Sequence, residues 1–243
     1  MFNFVEQNVH IWYKSRMLKW FRMHHYWHIL IAQVVLLFLS AFLRHHFIVS
    51  VLFVLCLLGI FGAVIENIWS RKLPRVLALI SGIIAAAGGL LQYIHNLSEI
   101  EYYLGLFICC IAYAVFVVIA IISIARYVFI TDQITQDRIV GSVCIYLLIG
   151  MLFAFIYAAM GIMMEGGFNI PGAKGGGTGI YFADFLYFSY STLTTIGYGD
   201  MTPTHPVTKM TACLEGVTGC VYLAIMVARL VGMHVTQARD KRA

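Results

Sequence analysis

The segment from Thr195 to Asp200 (TIGYGD) holds the residue types best suited to ion chemistry in this chain of 243 residues. Gly197 and Gly199 alternate with bulkier residues, and glycine adopts positive φ angles at little cost. A strand with such alternating dihedral angles can point successive carbonyl oxygens to one side. Several of these strands around an axis would stack rings of oxygens that replace the hydration shell of a cation. The expected chemistry is therefore coordination by the backbone, without a catalytic step.

Apolar segments on both sides of this motif must position it. The chain is 61% hydrophobic and 11% charged, with a mean hydropathy of +0.87. Soluble domains carry about 45–50% apolar and about 25% charged residues, so a soluble enzyme, a disordered protein and a disulfide-stapled miniprotein are excluded. Six apolar runs are expected to span a bilayer, at 26–43, 47–65, 76–94, 102–124, 139–164 and 207–234. A seventh run, at 180–196, is shorter and is expected to be re-entrant.

Basic residues predict the orientation of these spans. Thirteen of the sixteen Lys and Arg residues lie on one side: before the first span, in alternate connections, and near or after the end of the last span. By the positive-inside rule both termini are expected in the cytoplasm of a multi-pass protein of the cell membrane. The glycine-containing segment then opens to the outside. The net charge of +5 does not indicate a nucleic-acid partner, because the basic residues are spread between apolar runs.

The predicted fold class is an all-α membrane protein with six transmembrane helices, a re-entrant pore helix and a selectivity-filter loop. Non-helical backbone at membrane depth is tolerated only where protein or a watery cavity surrounds it. The predicted parts are an interfacial N-terminal segment, a four-helix transmembrane domain, an interfacial linker, a pore domain and a short cytoplasmic tail, at 1–25, 26–124, 125–138, 139–234 and 235–243.

Residues 195–200 resemble the T-[V/I]-G-Y-G-D signature of potassium channels. An aromatic-rich segment (185–190) precedes the motif, Pro203 and Pro206 follow it, and an apolar helix comes next. Six spans with the pore last also resemble the voltage-gated cation-channel superfamily. The resemblance implies a pore that conducts K⁺ passively, with no enzyme activity and no cofactor besides the permeant ion. Because each chain supplies one filter strand, it also implies a homotetramer in the lipid bilayer.

The resemblance assigns roles to single residues of the motif. The backbone carbonyls of four residues are expected to coordinate K⁺: Thr195, Ile196, Gly197 and Tyr198. The Thr195 hydroxyl is expected to coordinate it as well. The Ile196 and Tyr198 side chains are expected to pack against the pore helix. Thr194, Gly199 and Asp200 are expected to support the filter or to form its mouth. Asp200 is expected to be a hydrogen-bonded strut behind the filter, and an exposed ring of carboxylates is the alternative.

Two residues of the last helix are candidates for gating. Gly219 lies nineteen positions after Asp200, where relatives carry a hinge glycine, and it either bends the helix or permits close helix contact. Glu215 places a carboxylate within the last span, where a charged group is energetically unfavourable in lipid. It is expected to face protein, such as Ser or Thr of the pore helix. Either a structural hydrogen bond or a pH-sensitive gating element would explain it.

The fourth apolar run departs from the superfamily pattern. Voltage-gated relatives carry Arg or Lys at every third position of this helix, whereas residues 102–124 contain no charge. Moving one elementary charge through 100 mV is worth about 2.3 kcal/mol. Steep voltage dependence is therefore not expected.

Other functions remain open from the sequence. A potassium-uptake transporter subunit usually carries four pore repeats in one chain and a degenerate filter, and a non-selective cation channel is a variant of the main hypothesis. The histidines raise the hypothesis of a haem-binding membrane oxidoreductase. They lie at the span ends, however, and not as facing pairs within the spans: His24, His25, His28, His45, His46 and His95. The six cysteines form no C-x-x-C pair and are expected to be buried apolar residues.

Overall fold

The computed structural model describes residues 25–40, 76, 80–84, 98–130, 135–170 and 182–240. Its helices are α1 (His25–Ser40), α2 (Glu99–Ile130), α3 (Gln136–Met163), α4 (Phe182–Leu193) and α5 (Pro206–Asp240). Two short strands, β1 (Phe168–Asn169) and β2 (Thr202–Pro203), pair antiparallel, with Phe168 opposite Pro203. The described part of the chain is therefore almost entirely helical.

Three of the described helices are long and apolar enough to cross a membrane, over Glu99–Phe129, Gln136–Met163 and Pro206–Gly232. They overlap the last three of the six predicted spans. Helix α1 covers most of the first predicted span, and within the third, residues 76 and 80–84 are described and helical. The second predicted span, residues 1–24 and residues 241–243 lie outside the described part. The count of six spans stays a prediction.

Helix α2 begins with a capping box that hydropathy does not reveal. The Ser98 amide donates to Glu101 Oε2 at 3.0 Å, and the Glu101 amide donates back to Ser98 Oγ at 3.4 Å. This pairing satisfies amides that would otherwise lack partners at the helix start, so α2 starts before residue 102. At its other end α2 continues to Ile130, which lies within the predicted linker 125–138.

Helix α3 is the central element and packs against α1, α2, α4 and α5. In the most apolar 18-residue stretch of α3, 67% is buried, compared with 11% in the corresponding stretch of α5. Helix α1 rests on α3 of the same chain, where Gln33 Nε2 donates to the Cys144 carbonyl at 3.3 Å. The α2–α3 contact is a continuous apolar core that includes Val117, Ala120, Ile124, Ile145 and Leu148. Helices α1, α2 and α4 therefore all pack on α3.

Candidate ion-coordination site

Tyrosine hydroxyls and one close approach hold α4 against α3. A Cβ at Gly150 of α3 would lie 2.7 Å from the Tyr190 ring, so the glycine leaves room for that ring. The Tyr190 hydroxyl donates to the Leu147 carbonyl at 2.7 Å, and the Tyr146 hydroxyl donates to the Leu193 carbonyl at 3.1 Å. Because these bonds join both helices at two levels, they limit rotation and sliding of α4.

After α4 the backbone adopts a left-handed conformation at every second residue. The φ angle is 61° at Thr195, 56° at Gly197 and 79° at Gly199. Glycine accepts this conformation readily, whereas for an L-residue with a Cβ it costs about 1–2 kcal/mol. Among the described residues, Thr195 is the only non-glycine residue with positive φ. This strained threonine and the two glycines give the alternation that a carbonyl-lined strand requires.

Amides of this segment are tied back to the end of α4. The Gly197 amide donates to the Ser191 carbonyl at 3.1 Å, and the Tyr198 amide donates to Ser191 Oγ at 3.4 Å. The Thr194 hydroxyl donates to the Tyr190 carbonyl at 2.6 Å. Residues 194–200 are nevertheless exposed in the single chain. One edge of the segment is therefore fixed to α4, while much of its surface is open.

The Asp200 carboxylate is held by a side chain of α4 and by the next backbone amide. The Tyr187 hydroxyl donates to Asp200 Oδ2 at 2.9 Å, and the Met201 amide donates to Oδ1 at 2.9 Å. The Tyr187 ring also stacks on Tyr198, with centroids 6.1 Å apart and planes 6° apart, so the Tyr198 side chain faces α4. Ile196 is 56% exposed. The Tyr187 hydroxyl is the donor in its bond to the carboxylate.

The segment that follows Asp200 is fastened to the turn after α3. Strand β2 pairs with β1, and the Thr204 amide donates to the Gly167 carbonyl at 3.0 Å. The Thr208 hydroxyl donates to the same carbonyl at 2.9 Å. Helix α5 then starts at Pro206, a residue suited to the first helical position because it has no amide proton to satisfy. Both ends of residues 194–200 are thus anchored.

Helix α5 passes close behind α4. Glu215 is fully buried, with Oε2 2.6 Å from the Tyr157 hydroxyl and Oε1 2.5 Å from Ser189 Oγ. A Cβ at Gly219 would lie 2.6 Å from the Leu193 carbonyl oxygen. Glu215 therefore contacts a serine of α4, as the sequence suggested, and Gly219 lies at a close helix contact. Helix α5 runs without interruption through both residues.

The predicted site residues form two groups in the structure. Residues 194–200 make one continuous segment, whereas Glu215 and Gly219 lie on α5, where they contact Ser189 and Leu193 of α4. Tyr157, Ser189 and Ser191 were not singled out from the sequence, although each contacts one of these groups. No short motif marks them, because their partners depend on how α3, α4 and α5 pack.

The histidines that raised the haem hypothesis lie only partly within the described residues. Within the described ranges no group of three or more His, Cys, Asp or Glu side chains could hold a metal ion. His28 belongs to α1, but several of the histidines considered lie outside the described residues: His24, His45, His46 and His95.

Comparison with known proteins places the similarity in this same region. Residues 168–235 match the family described as Ion channel. The chain is 37% identical over 94 residues to two pore potassium channel a of Oryza sativa subsp. japonica, across 38% of this chain and 23% of that protein. It is 35% identical over 81 residues to inward rectifier potassium channel Kirbac3.1 of Paramagnetospirillum magnetotacticum, across 33% and 24% of the two chains.

A further relative is two-pore potassium channel 4 of Arabidopsis thaliana, which is 31% identical over 94 residues, across 39% of this chain and 32% of that protein. The chain thus spans about a quarter to a third of the length of these relatives. No solved structure matches it. The findings support an ion-channel region related to potassium channels in a helical membrane protein.

Proposed function

We propose that the chain is a subunit of a potassium-selective ion channel that conducts K⁺ passively across a membrane. One observation carries the proposal: positive φ angles alternate at Thr195, Gly197 and Gly199, within TIGYGD and inside the region matched to the ion-channel family. A backbone of this kind can present carbonyl oxygens that replace the hydration shell of K⁺. No catalytic step and no cofactor enter this function.

The proposed roles follow the bonds around the segment. The proposed K⁺ ligands are the backbone carbonyl oxygens of Thr195, Ile196, Gly197 and Tyr198. The Thr195 hydroxyl is a further ligand. Thr194, Gly199 and Asp200 support the filter and form its mouth. This division is supported by the Ser191 and Tyr187 bonds, because they engage amides and a carboxylate and leave the carbonyl oxygens for ions.

The pore helix adds an electrostatic contribution to this site. Helix α4 ends at Leu193, directly before the filter segment. The C-terminal end of a helix carries a partial negative charge, which favours a nearby cation. A cation on the ion path would therefore be stabilised before it reaches the carbonyl oxygens.

A closed ring of carbonyl ligands requires four strands, and each chain supplies one. We therefore propose a homotetramer in the lipid bilayer. Two features support it. Residues 194–200 are exposed in the single chain. In the most apolar 18-residue stretch of α5, only 11% is buried. Neighbouring subunits and lipid would cover these surfaces. No nucleic acid is proposed as a partner.

The distribution of charge supports the orientation and the gating behaviour that we propose. Most Lys and Arg residues flank one side of the spans, which favours cytoplasmic termini in the cell membrane. Helix α2 carries Glu99 and Glu101 in its first turn and Arg126 near its end, with no charge between them. Steep voltage gating is therefore not part of the proposed function.

Reconstitution tests the central claim. The purified full chain is inserted into liposomes with opposing K⁺ and Na⁺ gradients, and the reversal potential is recorded. We expect it to follow the K⁺ gradient. A reversal potential near zero would instead favour a non-selective cation channel, and one that follows Na⁺ would reject the proposal.

A matched pair of glycine variants shows whether the filter backbone is responsible. Gly197→Ala should abolish selective flux, because the left-handed conformation costs alanine about 1–2 kcal/mol in every subunit. A Cβ at this position meets no atom of its own chain within 4 Å, so the conformation is what changes. Gly232→Ala on α5 also meets no atom within 4 Å and should leave the reversal potential unchanged.

A further inference from the structure

The side chain of Glu215 lies at the meeting point of three helices. It projects from α5, its Oε2 lies 2.6 Å from the Tyr157 hydroxyl of α3, and its Oε1 lies 2.5 Å from Ser189 Oγ of α4. Glu215 and Tyr157 are fully buried, and so is Ser189. With no exposure to water, these atoms must satisfy one another.

Counting protons determines which group donates in this cluster. Ser189 Oγ lies 2.6 Å from the Gly150 carbonyl oxygen as well as 2.5 Å from Glu215 Oε1. A hydroxyl has one proton, and a carbonyl has none to give. If Ser189 donates to Glu215, its oxygen faces the Gly150 carbonyl without a proton between them. If Ser189 donates to Gly150, the proton between Ser189 and Glu215 must come from the carboxyl group.

The second arrangement makes every short contact a hydrogen bond. Tyr157 donates to Glu215 Oε2, Glu215 Oε1 donates to Ser189, and Ser189 donates to the Gly150 carbonyl. We propose that Glu215 is a neutral carboxylic acid that acts as a positioning residue for the filter by linking α5, α4 and α3 through this relay. The effect on selectivity rests on the proposed channel function, whereas the position of the proton does not.

The surroundings of the carboxyl favour the neutral form. Among the described residues, the titratable groups that interact with the cluster are the hydroxyls of Tyr157, Tyr146 and Tyr190, together with the Cys213 thiol. None of these groups is a cation that would balance a buried carboxylate. An unpaired ion in an apolar interior costs several kcal/mol, and a protonated acid avoids that cost.

The relay reaches the filter through two residues of α4. Ser191 follows Ser189 by two positions. Its carbonyl accepts a hydrogen bond from the Gly197 amide, and its hydroxyl oxygen accepts one from the Tyr198 amide. A shift of α4 at Ser189 would therefore move the acceptors of both filter amides. The same helix is held at other levels by Tyr190 and Tyr146, so Glu215 supplies the contact from the α5 side.

The neutral acid predicts an unusual mutational pattern. Glu215→Gln keeps one donor for Ser189 and one acceptor for Tyr157, so the reversal potential and the thermal midpoint of the purified protein should match the unmutated chain. Glu215→Leu removes both, and the K⁺/Na⁺ permeability ratio should fall by about tenfold or more, because buried hydrogen-bonding groups lose their partners. If Gln is as harmful as Leu, or if Leu leaves the ratio unchanged, the proposal is wrong.

Infrared spectroscopy locates the proton without relying on ion flux. The difference spectrum between the unmutated protein and Glu215→Gln, near neutral pH, should show the C=O stretch of a protonated carboxylic acid. Ser189→Ala should shift that band, because it removes the acceptor. Carboxylate bands in place of the C=O stretch would overturn the proposal. Because this measurement needs only folded protein, it decides the proton position even if the K⁺-selective flux is not found.

Discussion

Gly219 of α5 lies directly against the carbonyl oxygen of Leu193, the last residue of α4. A Cβ on this glycine would come within 2.6 Å of that oxygen. The same oxygen accepts a hydrogen bond from the Tyr146 hydroxyl at 3.1 Å. Glycine here permits a close approach of two helices at the point where the filter segment begins. The uninterrupted course of α5 agrees with this packing role in the described conformation.

Gly219→Ala should destabilise the folded protein by about 1–3 kcal/mol, since the methyl group would have to displace backbone. The thermal midpoint in detergent should fall, and the K⁺/Na⁺ permeability ratio should fall with it, because Leu193 precedes the filter. Gly216→Ala is the control, as a Cβ there meets no atom within 4 Å. Equal effects of the two substitutions would argue against the close contact.

Tyr187→Phe should weaken the outer part of the filter. It removes the donor to Asp200 Oδ2 but keeps the ring that stacks on Tyr198. We expect a lower permeability ratio and faster loss of current at low external K⁺. Asp200→Asn should have a similar effect, and the double variant should be less impaired than the two single changes added together, because they remove one interaction. Additive effects would show that the two residues act separately.

Currents from the reconstituted protein should depend weakly on voltage. Helix α2 has no charged residue between Glu101 and Arg126, and each charge that crosses 100 mV contributes about 2.3 kcal/mol. The slope of the conductance–voltage relation should therefore be shallow, and Arg126→Gln should leave it unchanged. A slope equivalent to several elementary charges per subunit would contradict this expectation.

Helix α1 should pack on α3 of its own chain rather than on α3 of a neighbouring subunit. Gln33 Nε2 donates to the Cys144 carbonyl at 3.3 Å within one chain. In a chain that keeps Cys144 and has the other five cysteines replaced by alanine, Gln33→Cys should react with a short thiol cross-linker. The product should migrate as a monomer on a denaturing gel, whereas cross-linked dimers would indicate an exchanged arrangement.

Phe38→Cys in the same background provides the control for this cross-link. Phe38 lies on α1 but is 72% exposed, so it does not face α3. It should give no intrachain product with Cys144. A product of equal yield would mean that the cross-linker reports general proximity and not the Gln33–Cys144 contact.

Local features of the fold could be predicted from the sequence with good accuracy. The apolar runs anticipated α2, α3 and α5, and the shorter run at 180–196 anticipated α4. The helix ends were less accurate, because the start of α2 depends on the Ser98–Glu101 capping box and its end on apolar residues beyond 124. Hydropathy does not register the capping box, and the charge of Arg126 ended the predicted span although apolar residues follow it.

The sequence by itself determined where residues 194–200 can take positive φ at little cost, and the absence of charge in the middle of α2. Both are local: Gly197 and Gly199 permit positive φ because they have no Cβ, and charge is a property of composition. Thr195 takes the same conformation despite its Cβ. Only the tertiary structure decided that Tyr157 meets Glu215, that Tyr187 meets Asp200 and that Gly219 meets Leu193. These partners come from different elements, so their contacts depend on helix rotation and depth. Both are set by the whole packed core and not by any short stretch of residues.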